Sequence, residues 1–373
     1  MFYRPILPGY FEPITVVVPV YQEDPQIFTV ALESWLRNPI VEVICVIDVT
    51  DEACLSIAQS YGEVWGRVRT IVTDVPGKRD ALARGWRSAA TPLVALVDSD
   101  TIWEKDVAIW VAVPFKDPAV GGVGTRQNVF EPHGLWQNAA DLYLDYRYFD
   151  EIAAQSTMGQ AVSCLSGRTA VYRRNLLHEF EEDFLNETFL GVRCMSGDDK
   201  RLTTLLLEHG HKTILQREAR VWSTFPSEFR RFTQQRIRWA RNTWRSDLRA
   251  MGRRWFWSHR FLAFTTVDKS ISAFTLLVAP CFFIWSVVTE HWRLTLILGT
   301  WWLLSRAVKL LPHFGRKPQN LVLLPLFVGI TIYMALLKIY ALLTIRQHKW
   351  LTRDVAVVDG RVQRVSGDGV AHP

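Results

Sequence analysis

The sequence predicts an α/β fold with a mostly parallel β-sheet, followed by interface helices and transmembrane helices. β-Branched runs alternate with helix-like stretches between Ile14 and Asp100, and long apolar stretches with few charges follow residue 260. Alternation of this kind implies parallel strands covered by helices. The predicted strands are Ile14–Val20, Val41–Ile47, Val68–Val75 and Leu93–Val97, and the helix-like stretches include Ile27–Leu36 and Arg79–Ser88.

The length of 373 residues allows one catalytic domain of roughly 200–250 residues and an appended region. Ile271–Val288 carries no charge, and Leu294–Leu311 and Leu321–Ile345 carry very few. Because a hydrocarbon core takes about 20 apolar residues of helix, these stretches are predicted to be membrane segments. Residues 1–13 lack the apolar core of a signal peptide, so the first ~250 residues are expected to face the cytosol at the plasma membrane.

Cysteine usage and net charge narrow the functional classes. The five cysteines are odd in number, scattered, and form no Cys-x-x-Cys pair, so zinc and disulfide frameworks are not expected. The net charge of +6 is compatible with nucleic acid, anionic lipid or an anionic substrate as a partner. Which of these three partners is expected depends on where the positive charge lies in the chain.

Polar side chains follow the ends of the predicted strands. Asp98-Ser99-Asp100 comes directly after Leu93–Val97, and paired carboxylates at a strand end suit Mg²⁺ or Mn²⁺ that holds a diphosphate. An isolated Asp-x-Asp often only caps the next helix. Ligands of open α/β sheets bind at the carboxyl ends of the strands, so side chains there are expected to share one cleft. The others at such ends are Tyr21, Glu23, Asp48 and Lys78.

A second acidic motif lies in the later half of the predicted catalytic domain. Asp198 and Asp199 precede the helix-like stretch Leu205–Glu208, which Gly210 ends. Acids at a helix start are also favoured by the helix dipole, without any catalytic function. Both interpretations stay open on these residues alone.

The stretch Phe229–Trp257 is both basic and aromatic. Nine arginines lie between Arg230 and Arg254. An amphipathic helix with arginines outside suits a membrane interface, with nucleic acid as the competing partner. The membrane segments that follow favour a lipid bilayer, so no nucleic-acid partner is expected. The apolar face at helical spacing contains Ile237, Ala240, Trp244, Leu248 and Met251.

Gln235-Arg236-Ile237-Arg238-Trp239 completes a set of motifs that resembles a known family. The chain resembles the processive family-2 glycosyltransferases, which include cellulose, chitin and hyaluronan synthases, and looks most like the last of these. The resemblance runs from about Ile14 to Arg353. The matching motifs in chain order are Asp48, Asp98/Asp100, Asp198-Asp199 and Gln235/Arg238/Trp239, with finer matches at Gly77-Lys78-Arg79, Ser166-Gly167 and Lys338–Arg346.

The resemblance implies a Rossmann-like glycosyltransferase-A domain and a role for each matching residue. Asp98 and Asp100 would orient the nucleotide and bind Mg²⁺ or Mn²⁺, and Asp199, next to Asp198, would be the general base. Trp350 and Arg353 would lie near the gate of the site, although Leu351 replaces the glycine of that motif. The resemblance further implies that Tyr21, Glu23 and Asp48 hold the uridine, that Lys78 meets the diphosphate, and that Gln235, Arg238 and Trp239 close over the diphosphate and the acceptor sugar.

The chemistry of an inverting transfer agrees with these roles. One base takes the proton of the acceptor hydroxyl while that oxygen attacks the anomeric carbon. The departing diphosphate develops negative charge, which a metal and the fixed cations Lys78 and Arg238 would stabilise. Trp239 offers a flat face for a sugar ring, and otherwise it would anchor the helix at the membrane interface.

The motifs and composition divide the chain into four predicted parts. These are a cytosolic catalytic domain at 1–225, interface helices at 226–260, a transmembrane region at 261–345 and a tail at 346–373. Positive charge in the loop Lys309–Lys317 places that loop in the cytosol. A final crossing by Leu321–Ile345 would then leave Trp350 on the far side, unless a helix broken at Pro325 and Gly329 returns its end.

The resemblance therefore implies a membrane-bound, inverting, processive glycosyltransferase that uses UDP-sugars. Its expected product is a hyaluronan-like polymer or another β-linked polysaccharide that contains N-acetylglucosamine or glucuronic acid. The expected partners are the donor, the growing polysaccharide and the bilayer. Hyaluronan synthases have two membrane helices before the catalytic domain, and none is expected in this chain. Either further copies or an export partner are then expected to complete the pore, or the product stays on the cytosolic side. The alternatives are single transfer onto a lipid carrier and a non-catalytic, membrane-tethered binding protein.

Overall fold

The computed structural model describes residues 3–347 and the backbone of residues 355–358 and 361–364. Eight strands form one mixed, mostly parallel sheet in the order β3-β2-β1-β4-β7-β6-β10-β5, which confirms the predicted α/β fold. The strands are β1 Ile14–Val20, β2 Glu42–Asp48, β3 Val68–Thr73, β4 Leu93–Val97, β5 Thr101–Trp103, β6 Val120–Val129, β7 Thr169–Arg173, β8 Thr188–Phe189, β9 Val192–Arg193, β10 Lys212–Ser223, β11 Val355–Val358 and β12 Arg361–Arg364.

The first four strands run parallel, as their apolar runs predict. Neighbouring side chains of β1 point into different hydrophobic cores: Val16 joins one cluster with Trp35, and Val17 joins the other with Trp86. The period of two in a strand explains this alternation, and burial on both faces explains why the strand is apolar throughout. The sheet is therefore the middle layer of a three-layer domain.

Helices cover both faces of the sheet and continue beyond it. Local sequence fixes some of their ends: Asp24 accepts hydrogen bonds from the backbone N–H groups of Gln26 and Ile27 and so caps the first helix. The helices are α1 Pro25–Leu36, α2 Glu52–Trp65, α3 Lys78–Ser88, α4 Val107–Ala112, α5 Leu135–Tyr146, α6 Ile152–Ala154, α7 Arg174–Glu179, α8 Glu181–Leu185, α9 Asp198–Glu208, α10 Phe229–Met251, α11 Arg254–Ser258, α12 Arg260–Thr275, α13 Val278–Val288, α14 Trp292–Lys309, α15 Leu311–Arg316 and α16 Leu324–Leu343. Short 3₁₀ turns cover Val113–Lys116 and Pro318–Leu323, and π-helical turns cover Arg147–Glu151 and Gln155–Gly159.

Two stretches in the described part of the chain are long and apolar enough to cross a membrane. They are Arg260–Val288, which contains α12 and α13, and Pro318–Leu343, which contains α16. The sequence predicts a third segment where α14 lies, and that segment is helical. Helix α14 is not one of these two stretches, since it includes Arg293, Arg306 and Lys309 within 18 residues, and the third span stays a prediction.

Helix α16 lies side by side with α10 and runs in the same direction. The hydroxyl of Tyr333 lies 2.9 Å from that of Thr233, and Trp244 Nε1 donates to the carbonyl of Lys338 at 2.8 Å. Near its C-terminal end, the carbonyl of Ile345 accepts from Arg245 Nε at 3.0 Å. The chain therefore leaves α16 beside α10.

The arginines of α10 differ from the expected arrangement. The sequence predicts an interface helix with its arginines outside, but Arg236, Arg241 and Arg245 are buried. Arg241 donates to Thr344 Oγ1 at 2.9 Å, because the segment after α16 covers this face of α10 with hydroxyl and carbonyl oxygens. Helix α10 thus packs against α9 and α16 and keeps three of its arginines inside.

Candidate functional site

The carboxyl edge of the sheet brings together most of the side chains that the sequence singles out. One cavity is lined by Tyr21, Asp48 and Lys78, and a second by Lys78, Asp198 and Asp199. Lys78, at the start of α3, lines both. These side chains converge because the carboxyl ends of parallel strands lie at one edge of the sheet, and the residues that follow each strand begin there.

Lys78 bridges two of the acidic motifs. Its Nζ atom lies 2.7 Å from Asp98 Oδ1 and 2.8 Å from Asp198 Oδ2. Burial alone would lower the pKa of the Lys78 ammonium, but attraction to Asp198 and Asp98 outweighs burial and raises it. The same contact holds the pKa of Asp198 below its usual range, against the effect of burial. Both groups are therefore charged.

Asp199 is the other carboxylate at the start of α9. Its Oδ1 atom accepts from the backbone N–H of Lys200 at 2.7 Å, and its Oδ2 atom accepts from that of Gly167 at 3.3 Å. Burial and the neighbouring charge of Asp198 raise the pKa of Asp199. A raised carboxyl pKa moves the group toward the range in which a general base works best.

Two glycines shape the space around these acids. Gly197 has φ +84°, the left-handed region, and a Cβ there would also lie 3.1 Å from Asn242 of α10. A Cβ on Gly167 would lie 3.1 Å from Lys78 Nζ. A side chain at Gly167 would therefore crowd Lys78 and shift its ion pair with Asp198 by a few tenths of an ångström.

Asp98 and Asp100 lie together at the end of β4. Thr224 Oγ1 donates to Asp100 Oδ2 at 2.5 Å, and Ser99 Oγ donates to Glu23 Oε2 at 2.6 Å. Burial and the charge of Asp98 raise the pKa of Asp100. Two neighbouring carboxylates, of which Asp98 pairs with Lys78, offer the hard oxygen donors that a small divalent cation prefers.

Asp48 and Glu23 also form hydrogen bonds with nearby residues at this edge of the sheet. Asp48 is buried, and its Oδ1 atom accepts from the N–H of Thr50 at 3.0 Å and from the Thr50 hydroxyl at 2.6 Å. The N–H of Glu23 donates to Asp51 Oδ2 at 3.2 Å. Asp48 therefore shapes the turn after β2 as well as lining the first cavity.

Gln235, Arg238 and Trp239 lie on the first half of α10. The ring of Trp239 meets that of Phe225 edge-on, with centroids 6.4 Å apart, and the Arg236 guanidinium lies 4.9 Å from the Trp239 ring. The side-chain oxygen of Gln235 is buried without a hydrogen-bond partner in the described part of the chain. Trp350 and Arg353, expected at the gate, lie outside the described residues.

A second acidic cluster lies away from this site, where α5 meets α15. Ligand atoms of Asp141, Asp145 and His313 lie within 4.8 Å of one another, a spacing that could hold a metal ion. However, Lys317 Nζ lies 3.0 Å from Asp141 Oδ2, and Arg316 pairs with Asp145. Because the chain's own cations balance both acids, the cluster is an ion-paired contact between the two helices.

Sequence reasoning missed two parts of this arrangement. Asp141 and Asp145 occur four residues apart on one helix, which was the available signal. Their partners lie in α15 and directly after it, far along the chain. Arg168 was also missed. Its guanidinium stacks on Phe225 near Trp239, and it directly follows Ser166-Gly167, which the sequence analysis singled out without it.

Comparison with known proteins agrees with this geometry. Residues 12–242 match the family model described as glycosyltransferase like family 2. The chain is 30% identical to a type 2 glycosyltransferase of Gibberella zeae, over 91% of this chain and 68% of that protein. It is 27% identical to human hyaluronan synthase 2, over 91% of this chain and 69% of that protein.

A solved structure has the same fold. A mannosyltransferase from Pyrobaculum calidifontis in complex with GDP-Man and Mn²⁺ superposes with a TM-score of 0.57 at 16% identity, over 93% of this chain and 90% of that one. Its likeness supports the glycosyltransferase-A-like fold. The two apolar helices, together with the hyaluronan synthase relatives, indicate a membrane protein. The family match covers more than half of the chain, and the chain is a glycosyltransferase that belongs to family 2.

Proposed function

We propose that the protein is an inverting glycosyltransferase that polymerises sugars from UDP-sugar donors at a membrane. One observation carries the proposal: Lys78 lies between Asp98 and Asp198, where the cavity of Tyr21 and Asp48 adjoins that of Asp199. A nucleotide in the first cavity would direct its diphosphate toward Lys78. Its sugar would then extend toward Asp199.

The nucleotide is held at three points in this proposal. Tyr21, Glu23 and Asp48 surround the uridine, and Lys78 exchanges its carboxylate partners for phosphate oxygens. Asp98 and Asp100 would hold Mg²⁺ or Mn²⁺ against the diphosphate. When bound, the cation supplies Lewis-acid stabilisation of the charge that develops on the leaving group.

Asp199 is the proposed base, with Asp198 as its partner. Asp199 removes the proton from the acceptor hydroxyl, and that oxygen attacks the anomeric carbon from the face opposite the diphosphate. Asp198 stays ionised through Lys78, and its charge makes Asp199 a stronger base. Gln235 and Arg238 face the leaving diphosphate, and the Trp239 ring supports the acceptor sugar.

The membrane elements support polymer synthesis beside a bilayer. Helix α10 carries Gln235, Arg238 and Trp239 and packs along α16, so the acceptor site adjoins an apolar helix. We propose the division into a catalytic unit at 1–225, connecting helices at 226–260, a membrane region at 261–345 and a gate-forming tail at 346–373. The donors are UDP-N-acetylglucosamine and UDP-glucuronic acid, and further copies or a partner complete any export path.

The direct test is UDP release by membranes that contain the protein, with a panel of UDP-sugars and either Mn²⁺ or Mg²⁺. Turnover that requires a UDP-sugar and a divalent cation supports the proposal, and no turnover with any sugar nucleotide overturns it. Product length on a sizing gel then separates polymer synthesis from single transfer onto a lipid carrier. Digestion of the product by hyaluronidase tests the proposed sugars.

A further inference from the structure

We propose that Arg168 is a positioning residue of the transfer site. It fixes the positions of Trp239 and Asp100 relative to each other, and it supplies a fixed positive charge beside the Asp98–Asp100 pair. The inference rests on the proposed function, because that function assigns Asp100 to a cation and Trp239 to the acceptor. Arg168 lies just before β7, outside every motif that the sequence singles out.

Arg168 is a buried cation whose described partners are neutral. Only 9% of the residue is exposed. Its Nε atom donates to the hydroxyl of Ser223, and an Nη atom donates to the side-chain oxygen of Gln127 at 3.3 Å. No ion pair to Arg168 occurs in the described part of the chain. A buried charge is costly, so this guanidinium needs compensation from its surroundings, which include the carboxylate of Asp100 as well as neutral groups.

Aromatic rings supply part of that compensation. The guanidinium carbon of Arg168 lies 4.3 Å from the ring centroid of Phe225 and 5.4 Å from that of Trp239. A planar guanidinium stacks on aromatic rings in a way that a lysine ammonium cannot. Because Phe225 also meets Trp239 edge-on, Arg168 and Phe225 together fix where the Trp239 ring lies.

The same guanidinium is linked to the Asp98–Asp100 pair through consecutive residues after β10. Ser223 accepts from Arg168, Thr224 donates to Asp100, and Phe225 lies under the guanidinium. On the other side, the carbonyl of Arg168 accepts from the N–H of Asp98 at 3.2 Å. Arg168 therefore connects the proposed metal-binding acids with the proposed sugar platform.

The positive charge of Arg168 predicts the sign of a change in metal affinity, which an experiment can measure. Arg168 and Asp100 bond to the neighbouring residues Ser223 and Thr224, and the positive charge of Arg168 attracts the Asp100 carboxylate. A fixed cation at this place stabilises the two acids before the donor arrives, and it also opposes a second cation there. Removing the charge should strengthen metal binding while it weakens the support of Trp239.

The experiment measures Mn²⁺ binding and turnover in the full-length protein. Electron paramagnetic resonance with Mn²⁺ alone gives the Kd, and Asp100→Asn identifies the signal of this site. For Arg168→Met we expect a Kd about fivefold lower than wild type, because a nearby positive charge is gone. For Arg168→Lys, which keeps the charge, we expect a Kd within about twofold of wild type. Both variants should lose about tenfold or more in kcat with little change in the donor KM, because neither keeps the stacked guanidinium.

Arg173→Met is the matched control at the opposite end of β7. Arg173 also lies over a phenylalanine, with its guanidinium carbon 5.2 Å from the Phe115 ring, and donates to the carbonyl of Val120 at 2.9 Å. Its removal should leave the Mn²⁺ Kd and the kcat-to-KM split unchanged. Arg168→Gln repeats the loss of charge with a side chain that still reaches Ser223, so the test does not depend on one variant folding.

Two results would overturn the inference. An unchanged or weaker Mn²⁺ affinity in folded Arg168→Met and Arg168→Gln would exclude the electrostatic role. A loss of thermal stability with unchanged kcat would show that Arg168 only packs the domain. The Mn²⁺ measurement needs no substrate, so a tighter Kd in a protein that turns over no UDP-sugar would support Arg168 while the proposed function fails.

Discussion

The Nζ atom of Lys78 lies 2.8 Å from the Oδ2 atom of Asp198, which joins the start of α3 to the start of α9. Lys78 and Asp198 are the first residues of their helices, and the positive N-terminal ends of the two helices favour a carboxylate there. A diphosphate is favoured for the same reason and would compete with Asp198 for the ammonium. Donor binding is thus expected to replace the contact of Lys78 with Asp198 by a contact with the diphosphate.

Replacing Lys78 with methionine should therefore raise the donor KM and lower kcat/KM by about a hundredfold, since a charge-assisted phosphate contact and its effect on the leaving group are lost. Steady-state UDP release measures both constants. Lys212→Met is the matched control, because Lys212 also lies 2.8 Å from a carboxylate, Asp117, at the other end of the sheet. Equal losses in the two variants would contradict a role for Lys78 at the diphosphate.

Asp199→Asn should abolish transfer, with kcat at least about a hundredfold lower, and leave UDP binding intact. The folded-state pKa of Asp199 is raised by burial and by Asp198, so the native state holds the proton more tightly than the unfolded state. The ionised group consequently destabilises the fold above that pKa, and the neutral asparagine should raise the melting temperature at pH 7. Calorimetry and UDP release on the same sample test both effects.

The pH profile of wild-type kcat follows from the same shift. A base must be deprotonated, so kcat should rise with pH through the raised pKa of Asp199 and level off above it. Retained activity in Asp199→Asn, or a rate that falls as pH rises across the acidic limb, would remove Asp199 as the base.

Much of the catalytic edge could be predicted from local sequence. The strand ends that carry Asp48 and Asp98 follow apolar runs, and parallel strands collect such ends at one edge. The order of strands in the sheet could not be predicted in this way. β7 pairs antiparallel between β4 and β6, a choice made by contacts between segments that are distant in the chain.

Arginine burial on α10 marks a second limit of local patterns. Helical spacing shows which residues share a face, but it does not show what covers that face. From helical spacing alone, Arg241 and Arg245 would be assigned to the solvent or the lipid surface. In the structure, oxygen atoms of Thr344 and Ile345 accept hydrogen bonds from them. Arg168 could not be identified from the sequence for the same reason, because its partners lie on β6, β10 and α10, which are distant in the chain.

Asp141→Asn should destabilise the contact between α5 and α15. Asp141 is fully buried, accepts from Asn128 Nδ2 at 2.9 Å and pairs with Lys317, so the variant leaves a cation without its partner. We expect a loss of about 3 kcal/mol in the free energy of unfolding. Glu33→Gln, which breaks the exposed pair with Arg37, should cost about 0.5 kcal/mol or less.

The pKa of Asp141 gives this contact a pH dependence. Burial raises it, but the hydrogen bond from Asn128 and the charge of Lys317 hold it below its usual range. Its stabilisation is therefore present above the unfolded-state pKa and is lost as pH falls through the folded-state pKa, so the difference between wild type and Asp141→Asn should shrink in acid. A melting temperature that drops on addition of a chelator in wild type and in Asp100→Asn, but not in Asp141→Asn, would instead indicate a metal in this cluster.

Arg245→Ala should release the chain that follows α16. Arg245 donates to the carbonyl of Ile345 at 3.0 Å and to that of Gln347 at 2.6 Å, and it is buried under them. Hydrogen bonds from a charged donor contribute about 1.5–3 kcal/mol each, so their loss should increase proteolytic cleavage after residue 343 by roughly tenfold or more. Mass spectrometry of timed digests locates the cut.

Exposed Arg231, which lies near Glu228 at the start of the same helix, provides the matched control as Arg231→Ala. Its cleavage pattern should equal that of wild type. If the tail with Trp350 and Arg353 forms the gate, Arg245→Ala should also shorten the polymer, because the tail would no longer start from a fixed point beside α10. Faster cleavage with unchanged product length would separate the anchoring of the tail from its proposed role at the gate, and unchanged cleavage would show that Arg245 does not anchor it.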